Sequence, residues 1–121
     1  VVLAGKSMGG RVGSHLAGDT GWGAAGLFYL GYPLVPLGKG EPRDTSHLEN
    51  IEAPQLFFAG TRDRLSPPNQ IVPLAARLPN ASVEVITDGD HSFKVPKRAG
   101  MTTKEVIDAI VARAAEWTKS L

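Results

Sequence analysis

The sequence contains no cysteine. Disulfides and thiolate metal sites are therefore excluded, and the composition fits a reducing compartment, which points to the cytoplasm. Charge of one sign is not in excess either. Thirteen basic and 12 acidic residues leave a formal net charge of +1, so there is no polyelectrolyte pull toward nucleic acid or a membrane surface, and neither is expected as a partner. No apolar run approaches the ~20 residues needed to cross a bilayer. No signal peptide, internal repeat or low-complexity tract is visible. His15, His47 and His91 fall at no spacing that suggests a metal site, and no cofactor is expected. What remains is an ordinary globular composition, 42% hydrophobic and 21% charged over 121 residues, enough for one domain with a real core.

Strand-like and helix-like segments alternate, which predicts an α/β fold built on a parallel sheet with helices on both faces. Val1 to Ala4 reads as a buried strand and Gly9 to about Ala17 as a short helix stopped by Gly18 and Gly21. Ala24 to Leu30 reads as a second strand, and Pro33 to Asp44 as a loop rich in proline and glycine. A helical turn over Thr45 to Asn50 precedes a third strand, Pro54 to Ala59. The next helix is expected from about Asn69 to Leu78, because Pro73 lacks an N–H. A fourth strand, Val83 to Ile86, leads into a loop from Thr87 to Gly100. In the last helix Thr102 and Glu105 form a capping box, and Val106, Ile107, Ile110, Val111, Ala114, Trp117 and Leu121 recur at helical spacing. A strand at residue 1 without an initiator methionine points to an interior start, in the C-terminal part of a longer protein.

Gly5-Lys6-Ser7-Met8-Gly9 is a G-x-S-x-G pattern between the first strand and the first helix. That is the setting of a nucleophile elbow, in which glycines let a strained serine turn approach its neighbours closely. Asp63 follows the third strand and His91 the fourth, so Ser7, Asp63 and His91 all fall at strand C-termini, where open parallel sheets form their crevice. A serine needs a base to take its proton, and the base needs a carboxylate to hold its tautomer. The Met8 N–H, just after the nucleophile, is one candidate oxyanion donor, and the expected ligand is a small-molecule acyl substrate.

Plainer readings stand beside these. Asp63 suits a turn, Asp88 and Asp90 shape the loop before His91, Asp44 lies in an irregular segment, and Asp108 on an exposed helix face. His15 reads as packing or surface and His47 as local structure. Lys94, Lys97 and Arg98 read as a solvated loop, with an anion-selecting rim as the sharper alternative. Trp22 and Trp117 read as core or partly covered aromatics. Gly5-Lys6-Ser7 also matches the end of a phosphate-binding P-loop. That motif places a loop between strand and Gly-Lys, whereas here the strand is apolar up to Gly5.

Gly5 to Arg11, Gly31-Tyr32-Pro33-Leu34, Gly60 to Asp63 and Asp88 to Arg98 together resemble one branch of the α/β-hydrolase superfamily. It is a group of predicted hydrolases near the dienelactone hydrolases that includes a subunit of a chromatin acetyltransferase complex. The resemblance implies Ser7 as nucleophile, Asp63 as acid and His91 as base. It also implies a chain starting at the fold's fifth strand, without the four earlier strands and the loop that supplies the second oxyanion donor. Two functions follow as expectations: a serine hydrolase cleaving an ester, thioester or similar acyl bond, or a non-catalytic module binding a partner. The first strand would present a bare edge, which invites self-association.

Overall fold

The computed structural model describes residues 1–37 and 40–121. Its strands are β1 (Val2–Lys6), β2 (Gly26–Leu30), β3 (Gln55–Gly60) and β4 (Ala81–Ile86); its α-helices are α1 (Met8–Thr20), α2 (Pro68–Ala76) and α3 (Thr103–Lys119). Short 3-10 turns over Ser46–Asn50 and Lys97–Ala99 interrupt the connections. The second of these falls in a segment that reads as loop in the sequence. Residues 38 and 39, within the predicted loop Pro33 to Asp44, lie outside the described residues.

The four strands form one parallel sheet in the order β1-β2-β3-β4. The α/β expectation therefore holds, and the helices cover both faces. Residues of β2 and β3 alternate between the layers, as the two-residue period of a strand requires. Leu27, Tyr29, Phe57 and Ala59 pack with Ala17 of α1 and with Ile71, Leu74 and Ala75 of α2. Leu56 and Phe58, with Phe28 and Leu30, pack against Val106, Ile110, Ala114 and Trp117 of α3. Every residue of β3 is buried, and apart from Gln55, which accepts from the Tyr29 hydroxyl, its sequence has no polar side chain and no alternation. In register, Lys6 lies opposite Leu30 and Gly60 opposite Ile86, so the C-terminal ends of the strands share one rim.

Several boundaries differ from the sequence reading, each for a physical reason. Gly18 does not stop α1. A Cβ there would come within 2.3 Å of the His47 carbonyl oxygen, so the glycine lets the Ser46–Asn50 turn press on the helix. The helix ends instead at Gly21, whose φ of 71° is left-handed and whose N–H donates to the Ala17 carbonyl. α2 begins at Pro68, since a first-turn proline has no partnered N–H to lose. The apolar stripe of α3 is narrower than its composition suggests, because Ile107 and Val111 are exposed. The capping box is present, with Glu105 N–H donating to Thr102 Oγ1 and Thr102 N–H to Glu105 Oε1. Trp117 is buried, whereas Trp22 is exposed.

Candidate active site

The turn from β1 into α1 holds Ser7 at φ 52° and ψ −122°, a conformation costly for a residue with a Cβ. Two supports hold it there. Ser7 N–H donates to the Leu30 carbonyl at 2.9 Å, and strand and helix cross at glycines. A Cβ on Gly5 would fall 2.3 Å from the Gly10 nitrogen and 2.4 Å from the Gly9 carbonyl carbon. At Gly9 the same test meets nothing within 4 Å. Gly5 thus packs against the Gly9–Gly10 peptide, and the positions where a side chain would clash are Gly5 and Gly10, not Gly9. A serine at a helix N-cap ordinarily spends its hydroxyl on the helix N–H groups. Ser7 makes no such bond, and its hydroxyl is free for another partner.

That partner is His91. Ser7 Oγ lies 2.8 Å from His91 Nε2, and His91 Nδ1 lies 2.7 Å from Asp63 Oδ2. An ionised carboxylate only accepts, so His91 Nδ1–H donates to Asp63 and the Ser7 hydroxyl donates to Nε2. The other carboxylate oxygen of Asp63 accepts from the N–H groups of Leu65 and Ser66 at 2.8 and 3.1 Å. The Asp63 side chain is fully buried, while that of His91 retains 29% exposure. The three sequence-predicted side chains therefore meet in one hydrogen-bonded line. Met8 opens α1, so its N–H has no carbonyl within the helix to bond.

The loops carrying Asp63 and His91 are laced together. Gly60 crosses Gly89 so closely that a Cβ would fall 2.2 Å from the Gly89 oxygen. Asp88 N–H donates to Thr61 Oγ1 at 2.8 Å, and Arg62 N–H to the Gly89 carbonyl at 2.9 Å. Asp90 shapes the His91 loop by accepting from the N–H groups of Ser92 and Lys94. Partial burial opposes its charge, yet those two bonds hold the Asp90 carboxyl below its ordinary range. Phe93, at φ 61°, buries its ring against the α3 side of the sheet and anchors the loop's far end.

Two contacts were not foreseen from sequence. Gly31, at φ 72°, lies against Asp63 and His91, and a Cβ there would come within 3.3 Å of Asp63 Oδ2 and of His91 Nδ1 and Cε1. A glycine just past the second strand was the only signal for it. Lys6 Nζ donates to Ser92 Oγ at 3.0 Å, a contact nothing in the sequence announces. The other histidines stand apart from Ser7. His47 Nε2 lies 2.9 Å from Ser14 Oγ, itself 2.9 Å from the Tyr32 hydroxyl, and the His47 ring stacks on His15 at 3.7 Å. Among the described residues no three His, Asp or Glu side chains are grouped to hold a metal ion, and no helix is long and apolar enough to cross a membrane. β1 runs through Lys6 without an intervening loop, so no phosphate cradle precedes Ser7.

The sequence matches the family model described as an alpha/beta hydrolase domain over residues 1–119. The chain belongs to the alpha/beta hydrolases. No curated protein matches it by sequence. Its fold as an alpha/beta hydrolase is shared with a thermophilic esterase from Thermogutta terrifontis, at a TM-score of 0.73 and 17% identity, covering 99% of this chain and 65% of that one. A predicted CIB-like hydrolase from Thermoplasma acidophilum gives a TM-score of 0.71 at 18% identity, with 99% and 51% covered. An alpha-beta serine hydrolase homologue from Coxiella burnetii gives 0.59 at 22% identity, with 74% and 40% covered. This alpha/beta hydrolase chain thus spans 40 to 65% of the length of these three structures.

Proposed function

We propose that this chain carries the nucleophile, base and acid of a serine hydrolase that cleaves an ester, thioester or similar acyl bond through an acyl-enzyme. The observation that carries the reading is the hydrogen-bonded line from Ser7 through His91 to Asp63, with Ser7 held in a strained backbone. Ser7 Oγ attacks the acyl carbon while its proton passes to His91 Nε2, and the buried Asp63 stabilises the imidazolium. His91 then protonates the leaving oxygen or sulfur. In the second half, water gives its proton to His91 and attacks the ester on Ser7, and His91 returns the proton to Ser7 Oγ as the acid leaves. The Met8 N–H supplies one oxyanion bond. The second donor is proposed to lie outside residues 1–121, since the chain spans 40 to 65% of the length of the structures it resembles, and the cytoplasm is the compartment proposed. The motifs around Ser7, Asp63 and His91 support placement in the branch near the dienelactone hydrolases.

An active-site-directed fluorophosphonate is expected to label the full-length protein, and Ser7→Ala to abolish labelling and lower ester turnover by about 10⁴-fold or more. Labelling that survives in Ser7→Ala would refute the assignment. A second reading, a partner-binding module without turnover, is favoured by the exposed row Met8, Val12 and Leu16 on α1. It requires partner binding unaffected by Ser7→Ala and no turnover across a broad ester panel.

A further inference from the structure

Lys6 immediately precedes Ser7, and Ser92 immediately follows His91. The Lys6–Ser92 bond therefore joins the strand of the nucleophile to the loop of the base, across 86 residues of sequence. Lys6 is exposed, and among the described residues no carboxylate lies within ion-pair distance of it. Two acids of these loops accept from other donors. Asp63 accepts from Leu65, Ser66 and His91, and Asp90 from Ser92 and Lys94. An ammonium has three donors. Ser92 takes one and fixes the group in place, leaving two donors and an unneutralised charge at the rim.

The direction of that charge follows from the reaction. The leaving group must lie over His91 Nε2, because that atom protonates it. The acyl oxygen must lie toward the Met8 N–H. Lys6 is tied through Ser92 to the loop of the base, the loop the leaving group must approach. We propose that Lys6 recognises an anionic group, carboxylate or phosphate, on the leaving alcohol or thiol. The substrates are then acyl esters or thioesters of anionic alcohols or thiols. The only proton moved is the one that passes from Ser7 through His91 to the leaving atom. The substrate class rests on the hydrolase reading, whereas recognition of the anion does not.

The test compares 4-acetoxybenzoate and 4-acetoxyphenyl phosphate with neutral methyl 4-acetoxybenzoate on the full-length protein, each rate divided by its uncatalysed counterpart. Lys6→Met is expected to lower the anionic-to-neutral ratio of kcat/KM at least about fivefold, the factor a unit charge pair gives at contact distance in a fully aqueous setting. Lys6→Arg should restore the ratio and Lys94→Met should leave it alone. High ionic strength should shrink it. If Lys6 were only a clamp between the two loops, Lys6→Met would lower turnover of all three compounds equally, and that result would overturn the proposal. A separate measurement follows 4-hydroxybenzoate binding to the Ser7→Ala protein by NMR titration. With no turnover of any ester the hydrolase reading fails, and this titration decides the rest. Binding that Lys6→Met weakens upholds anion recognition, and binding it leaves unchanged overturns it.

Discussion

Replacing Gly31 by alanine should separate the cost of the fold from the cost of the site. Gly31 has φ 72°, and a side chain in left-handed backbone costs roughly 1–2 kcal/mol. For a chain of this size that corresponds to a Tm lower by about 4–10 °C. The added Cβ would also stand 3.3 Å from Asp63 Oδ2 and from His91 Nδ1 and Cε1, inside the optimal carbon contact distance of about 3.5–4.0 Å. Asp63 is locked by two backbone N–H groups, so the partly exposed His91 ring is the part that must give. A displacement of about 1 Å can cost 10²-fold, and a few tenths should therefore lower kcat on the order of 3- to 10-fold. Gly21→Ala is the matched control. Its φ is 71°, but a Cβ there meets nothing within 4 Å. Both variants should lose similar Tm by differential scanning fluorimetry, and only Gly31→Ala should lose ester turnover. Equal activity losses, or full activity in Gly31→Ala, would refute the reasoning.

Two further outcomes are expected. Burial, aided by the neighbouring His15 charge, holds His47 below its ordinary value of 6.5. Its folded pKa lies under its unfolded one, so its contribution is present above about pH 6.5 and is lost as pH falls toward the folded value. The Tm advantage of wild type over His47→Gln should accordingly narrow between about pH 7 and pH 5, and a constant gap across that range would contradict the assignment. The second outcome concerns β1, an outer strand of the described sheet, whose open edge predicts association of the 121-residue chain. If, as proposed, Met8 supplies that chain's one oxyanion bond and a longer protein the second, the chain alone should turn over esters about 10²–10³-fold below that longer protein. Sedimentation showing a monomer at all concentrations, with undiminished turnover, would rule this out.

The layers were legible in the sequence because the apolar runs of β2 and β3 and the capped, periodic α3 each carry a local signal. So was the grouping of Ser7, Asp63 and His91, since parallel strands in register bring their C-terminal ends to one rim. Contacts made only by the assembled backbone were not legible. Gly10 replaces Gly9 as the residue that lets strand and helix cross, and Gly18 continues a helix it was expected to stop. Both depend on which neighbour arrives, Gly5 in one case and the His47 carbonyl in the other. His47 looked like local structure, yet its ring is buried against Ser14 and stacked on His15. Nothing at residues 45 to 50 encodes a partner more than thirty positions away.

Ser7 and His91 stand 84 residues apart in sequence, and His91 and Asp63 stand 28 apart. Their bonds join β1, on the outside of the described sheet, to the loops after the fully buried β3 and its neighbour β4. Partial opening that frees β1 and α1 would separate Ser7 from His91 while His91 and Asp63 stayed paired on an otherwise intact core. On the proposed reading, labelling at Ser7 would then serve as a gauge of sheet integrity. Under mild denaturant it should fade before the buried amides of β3 exchange.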